Sequence, residues 1–181
     1  MIVEYCCLWQ EAFKEIDSLA DVHKWAVRRM SSENVVIAGD LNAGGTFVKP
    51  ADWTRCRLRG EEYSWLIVDH QDTTATNTLA AYDRILTCSH SVHEAVVTDS
   101  AGVYRFDEDL GLDEETTLKV SDHFPVFCSL KPSVHPAVMK NIQTLMAIYV
   151  VDKVKKSQNQ FLIVKYSLYV EASKLRLDLS Q

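Results

Sequence analysis

Residues 35–40 read Val-Val-Ile-Ala-Gly-Asp. Four aliphatic residues in a row, with no polar alternation, suit a short strand buried on both faces rather than one lying half in water. The run breaks off at Gly39, delivers Asp40 and Asn42, and dissolves into Ala43, Gly44 and Gly45. Just upstream, Phe13, Ile16, Leu19, Ala20, His23, Val27 and Met30 recur at helical spacing over residues 10–30, with Glu11, Lys14, Glu15, Asp17 and Arg28 between them. An amphipathic helix that leads through a polar turn into a continuous aliphatic strand predicts a layered α/β domain.

Further elements follow the same logic. Residues 64–69 (SWLIVD), 82–88 (YDRILTC), 93–99 (HEAVVTD) and 124–130 (FPVFCSL) read as strands. Residues 112–120 (LDEETTLKV) read as a short helix with acidic residues in its first turn. Pro132 and Pro136 mark a change of composition, which divides the chain into a domain over 1–132 and a tail over 133–181. In the tail, 138–156 carries helical spacing and 160–170 (QFLIVKYSLYV) reads as a strand, and neither holds a motif tied to chemistry.

The net charge of −6 argues against a protein held to nucleic acid by a broad basic patch. It is compatible with a site for divalent cations, which must be acidic and which then presents the cation's charge to an anionic substrate. Cys6 and Cys7 are adjacent, while Cys56, Cys88 and Cys128 are scattered, so the five read as small apolar residues rather than a disulfide framework or a zinc site. The first residues lack a basic start and a long apolar stretch, so no secretory signal is expected; no apolar run is long enough to span a bilayer.

Three stretches place metal-capable polar residues at strand borders, where α/β sheets build their sites: GDLNAGG at 39–45, DTTATNTLAAYDRI at 72–85 and SDHFP at 121–125. Taken singly each has a plain structural reading: an Asx turn, a surface charge pair in YDR, a solvated turn before Pro125. Taken in order, with VVIAGDLNA, RLRGEEYSWLIVDHQDTTATNT running into AYDRI, and LKVSDHFPV, they resemble the C-terminal half of the deoxyribonuclease I family, within the endonuclease/exonuclease/phosphatase superfamily. The similarity runs from about Glu11 to Leu130.

The resemblance implies half, or a truncated form, of a four-layer α/β/β/α sandwich that hydrolyses DNA phosphodiesters with Mg²⁺ (or Mn²⁺) and Ca²⁺. Asp40 would bind metal or orient the attacking water, and Asn42 would donate its amide to a phosphate oxygen. His123 would exchange protons with the scissile phosphate, with Asp83 as its carboxylate partner. Asp122 would be a further carboxylate on the metal side, and Tyr82 would touch the phosphate. Asp72, Thr74 and Thr76, alternating along an extended segment, would form a structural Ca²⁺ site. Arg57 and Arg59 are candidates for the DNA backbone, with a solvated strand edge as the competing role. Full-length members would be secreted.

The sequence also departs from the family. Cys6 stands where the resemblance puts a second histidine, and Gly45 and Ala80 stand where a disulfide would bridge. The family's first half has no counterpart, so an inner sheet face would lie uncovered and invite self-association. These departures lead to an expectation of weak or absent activity. A non-catalytic relative that binds phosphate or a protein partner is the alternative, and a phosphoesterase acting on phosphoinositides or abasic DNA is a third reading.

Overall fold

The computed structural model describes residues 1–131 and the strand at 144–148. One sheet has strand order β1-β2-β4-β3, formed by β1 (Ile2–Glu4), β2 (Val36–Asp40), β3 (Ser64–Trp65) and β4 (Asp83–Thr87). β1 runs parallel to β2, and β4 is antiparallel to both β2 and β3. A second sheet sets β5 (Gly102–Val103), β6 (Val126–Leu130) and β7 (Thr144–Ile148) antiparallel in that order.

Helix α1 (Ala12–Met30) follows a 3-10 turn at Trp9–Glu11, where residues 10–30 carried the helical pattern. Its buried positions are Ala12, Ile16, Leu19, Ala20, His23 and Ala26; of the expected stripe, Phe13 and Val27 are half-buried and Met30 is exposed. The buried apolar positions pack on Val35, Ile37 and Leu86, one face of the first sheet, together with Leu58 and Tyr63. The alternate residues Val36, Ala38 and Ile85 point the other way and meet Val126 and Cys128 of the second sheet. β2 and β4 are thus covered on both faces, and every residue of both strands is buried. The described residues form three layers, helix, sheet and sheet. The inner face expected to lie bare is covered by β6 where β2 and β4 run beneath it. No helix among the described residues is long and apolar enough to cross a membrane.

Several expectations are corrected. Residues 93–99 are not a strand: α3 (His90–Ala95) occupies the start of that stretch, and only Val96 pairs, with Leu130. Ser89 caps this helix by accepting from the Val92 amide at 3.4 Å, and the cap outweighs the β-branched valines. Of residues 64–69 only Ser64 and Trp65 pair in the sheet, because the chain turns at Val68, whose carbonyl accepts from the Gln71 amide. β1 was not anticipated, since three residues are too few to show a period. Within the tail, 144–148 is strand rather than helix, where the edge of β6 offers it a ladder. The remainder of the 138–156 helix and the strand expected at 160–170 lie outside the described residues. Two short helices, α2 (Pro50–Trp53) and α4 (Phe106–Leu110), lie in the loops; α5 (Glu114–Val120) forms as expected, capped by Asp113 through the Thr116 amide at 2.8 Å.

Gly39 breaks the aliphatic run for a steric reason. Its φ is +140°, and a Cβ there would lie 2.0 Å from the Tyr5 carbonyl oxygen. The strand can therefore run on to Asp40 beside the incoming chain only with glycine.

Arg84 is not a surface charge. It is 1% exposed, and its guanidinium donates to the carbonyls of Ala81 (2.8 Å), Ile67 (2.7 Å) and Ala43 (2.6 Å) while pairing with Asp69 at 2.9 Å. One side chain thereby joins the glycine-rich loop, the segment after β3 and the start of β4. Arg84→Met keeps much of the volume but leaves three buried carbonyls without donors. Urea unfolding should show a loss of about 3 kcal/mol or more. A loss below about 1 kcal/mol would mean that the guanidinium is not the tie.

Candidate active site

The last rung of the β2–β4 ladder pairs Asp40 with Asp83. Antiparallel pairing sets the two side chains on the same face of the sheet, so two carboxylates meet at its end. The SDHFP turn approaches from the second sheet: His123 bridges to Thr74, and the Phe124 amide donates to the Thr73 carbonyl at 2.8 Å. His123 Nδ1 lies 2.7 Å from Asp83 Oδ2. Asp40, Asp83 and His123 each offer a ligand atom within 4.8 Å of the others.

The pair is largely dry, with side-chain exposures of 14% for His123 and 1% for Asp83. Burial presses the imidazole towards neutrality, but the hydrogen bond and charge of Asp83, joined by the charges of Asp40 and Asp122, outweigh it and raise its pKa to about 9. Asp83 Oδ1 is buried with no hydrogen-bond partner among the described residues. An orphaned carboxylate oxygen beside a second carboxylate suits a hard divalent cation, whose ligands are oxygens. Burial, with the charges of Asp40 and Asp72, keeps the Tyr82 hydroxyl protonated and able to donate.

Asn42 adopts a left-handed conformation, φ 49°, in which its own amide N–H donates to Asp40 Oδ1 at 2.9 Å. Its side-chain amide donates to the Cys7 carbonyl at 2.8 Å and to Asp40 Oδ2 at 3.3 Å. Asn42 therefore orients Asp40 and pins the loop to the chain entering α1; its amide hydrogens are engaged inside the protein rather than turned outward. Asp122 is exposed and stands outside the three-group cluster; its carbonyl accepts from the Ala75 amide at 2.7 Å. Tyr82 is buried, with its ring centroid 6.0 Å from that of His123.

The residues proposed for calcium do not alternate along a strand. They lie in a bend where Asp72 Oδ1 accepts from the Thr74 amide (3.0 Å), the Thr74 hydroxyl (2.9 Å) and the Ala80 amide (3.1 Å). The Thr78 carbonyl lies within hydrogen-bond reach of the same Thr74 hydroxyl and shares its single proton with Asp72. Thr76 is exposed, and its hydroxyl accepts from the Thr78 amide at 3.3 Å. The bend thus gathers Asp72, Thr74 and Thr78, while Thr76 faces solvent.

Arg57 and Arg59 sit on a 3-10 turn, not on a strand edge. Arg57 pairs with Asp17 and Asp21 of α1, and Arg59 pairs with Asp69 and lies over the rings of Trp53 and Trp65. Neither position 45 nor position 80 carries a cysteine, so no bridge ties the loop at Gly45 to Ala80.

Sequence reasoning missed Thr73. It is fully buried, and its hydroxyl accepts from the amides of Tyr82 (3.0 Å) and Asp83 (3.1 Å) while its carbonyl receives Phe124. It therefore fixes the backbone beside both members of the pair. Its position within the DTTAT stretch was visible, but nothing distinguished it from the threonines around it.

The geometry yields a titration prediction. In metal-free buffer, NMR of the His123 ring should show a midpoint near 9. With the folded pKa above the ordinary 6.5, the pair's contribution to stability is complete below about pH 6.5 and is lost as pH rises through about 9. In Asp83→Asn burial wins, and the midpoint should fall below the ordinary value. A wild-type midpoint at or below 6.5 would contradict the charge-paired geometry.

No family model matches the chain. Curated relatives do. The chain is 40% identical over 122 residues to human (Homo sapiens) deoxyribonuclease-1-like 2, covering 67% of this chain and 41% of that protein. It is 42% identical over 122 residues to deoxyribonuclease-1 of Sus scrofa, covering 67% and 43%. It is 43% identical over 126 residues to deoxyribonuclease gamma of Rattus norvegicus, covering 68% and 41%. The chain spans less than half the length of these relatives. With that limit on its extent, the chain belongs to the deoxyribonuclease I family.

Proposed function

We propose that this chain carries a divalent-metal-dependent site for hydrolysis of DNA phosphodiesters, and that residues 1–132 form part of a four-layer α/β/β/α sandwich. The observation that carries the reading is the buried His123–Asp83 pair beside Asp40, in a chain about 40% identical to proteins named deoxyribonucleases. A bound Mg²⁺ or Mn²⁺ would supply positive charge facing the phosphate. Asp40 and the unpartnered Asp83 oxygen would hold it, with Asp122 adding negative charge from the exposed side.

The chain's own groups do the rest. His123 presents its Nε2 proton towards the scissile phosphate and serves the leaving oxygen, while Asp83 fixes the ring through Nδ1. Asn42 holds Asp40 in place, and would reach a phosphate oxygen only by releasing one of its internal contacts. Tyr82 lends its hydroxyl to the same floor. With Cys6 where the resemblance put a second histidine, a single imidazole serves the chemistry, and turnover is slow.

Plasmid nicking with Mg²⁺ and Ca²⁺ tests this. The purified chain should nick weakly, and His123→Ala should lower the rate by about 10²–10⁴-fold. Nicking untouched by His123→Ala would remove the assignment. No nicking at any concentration, with phosphate still bound, would favour the non-catalytic reading.

Calcium is proposed to bind at the Asp72 bend, where a carboxylate, the Thr74 hydroxyl and the Thr78 carbonyl form a set of hard oxygens. A ligand that binds only the native state stabilises it by about 2.7 kcal/mol at a hundredfold excess over its Kd. Thermal unfolding should therefore shift upward with Ca²⁺ in the wild type and not in Asp72→Ala. An equal response in both would place the ion elsewhere.

A further inference from the structure

The chain carries a second polar cleft, remote from the His123 pair. β4 begins at Asp83; the cleft opens at its other end, where Cys88 and Ser89 follow the strand. Its volume is about 620 Å³, and three imidazoles line it: His23 of α1, and His90 and His93 of α3. Cys88 also lines it, but burial pushes the thiol up to about 12, so it stays protonated at neutral pH.

His23 is the least satisfied of the three. It is 9% exposed, and its Nε2 is buried with no hydrogen-bond partner among the described residues. Its Nδ1 lies 2.9 Å from the Tyr63 hydroxyl, and Tyr63 does not line the cleft. The ring is thus anchored on its protein side, and its free edge is the one left for the cleft. A histidine that served only to fill the core would have both nitrogens paired, and a buried nitrogen without a partner needs a water or an ion. Burial lowers the His23 pKa, with Glu62 opposing and Lys24 adding to the effect, so the ring is neutral at pH 7. With Nδ1–H donated to Tyr63, Nε2 keeps its lone pair. An imidazole fixed through one nitrogen by an oxygen and open at the other is the arrangement of a metal-bound histidine.

His90 and His93 stand three residues apart on α3, which sets them on one face of the helix. Both are exposed, and His90 Nε2 lies 3.3 Å from Glu94. The three rings are not drawn together as Asp40, Asp83 and His123 are, but exposed side chains change rotamer within nanoseconds. Around the cleft Glu33, Glu61 and Glu62 outnumber Lys24 and Arg28, so charge favours a cation over an anion. Imidazoles select zinc and its neighbours, whereas Mg²⁺ and Ca²⁺ take oxygens.

We propose that His23, His90 and His93, with Glu62 as fourth ligand, form a tetrahedral site for Zn²⁺ or a like transition metal that staples α3 to α1. The site is separate from the phosphodiester chemistry and does not rest on it.

Calorimetric titration of the full chain with Zn²⁺ tests it, in a His123→Ala background that disables the Asp40–Asp83 cluster. One equivalent should bind, and excess Mg²⁺ and Ca²⁺ should not displace it. His90→Ala and His93→Ala, both surface substitutions, should each weaken binding at least about tenfold, and Tyr63→Phe, which removes the anchor of the ring, should do so by a similar factor. Co²⁺ in place of Zn²⁺ should give the intense visible absorption of a tetrahedral complex. Zn²⁺ affinity unchanged in His90→Ala and His93→Ala, or binding that is already lost in His123→Ala, overturns the proposal. The unaltered chain gives a check that no folding defect can obscure: nitrogen NMR of the His23 ring should show Nε2 shifting on addition of Zn²⁺, and an Nε2 that does not respond overturns the site.

Discussion

The antiparallel register between β2 and β4 is the constraint on which the rest depends. Asp40 opposite Asp83 is its last rung, and a slip of one residue would send each carboxylate to the opposite face of the sheet. The register is enforced from both sides. Ile37 and Leu86 are buried under α1, while Val36, Ala38 and Ile85 are buried under the second sheet. Neither face tolerates a slip, because each would have to exchange one apolar set for the other. Arg84, one residue into β4, then fastens the three segments that meet at this end of the sheet. Two carboxylates can be held close together here because the scaffold around them is over-determined.

Much of this was legible in the sequence. The helical stripe leading to α1 and the unbroken aliphatic run of β2 are strong periodic signals, and they located the central layer to within a residue or two. The pairing of Asp83 and His123, 40 residues apart in sequence, was legible only through resemblance, since no spacing rule joins a strand head to a distant turn. What escaped was local chemistry that overrides composition. Val96 and Val97 suggested a strand, but the Ser89 cap began a helix three residues before the expected strand start at His93. Arg84 looked like a surface charge because nothing in YDR reveals three carbonyls waiting in the interior. Thr73 was overlooked because a buried hydroxyl that organises backbone amides has no periodicity.

The family departures acquire a physical meaning in this light. The loop after Asn42 lacks the cross-link that the resemblance would place between positions 45 and 80, yet it is not loose. Arg84 holds the Ala43 carbonyl, Asn42 reaches the Cys7 carbonyl, and Gly45 packs on the Tyr82 hydroxyl. On the other side of the gap, Ala80 is held by the Thr73 amide, which donates to its carbonyl, and by Asp72, which accepts from its amide. Non-covalent ties to buried partners thus do locally what a disulfide does through the unfolded state.

Charge sets the last condition on what such a site can hold. The carboxylates of Asp40 and Asp83 flank the His123 imidazole and Asp122 adds negative charge from outside, so a phosphate is repelled unless a cation or the His123 proton is present. The two arginines that the resemblance offered for the DNA backbone are turned to structural use: Arg57 clasps α1, and Arg59 pairs with Asp69 and stacks on two tryptophans. A polyanion approaching this surface meets little long-range attraction, and its residence must depend on short-range contacts made after arrival.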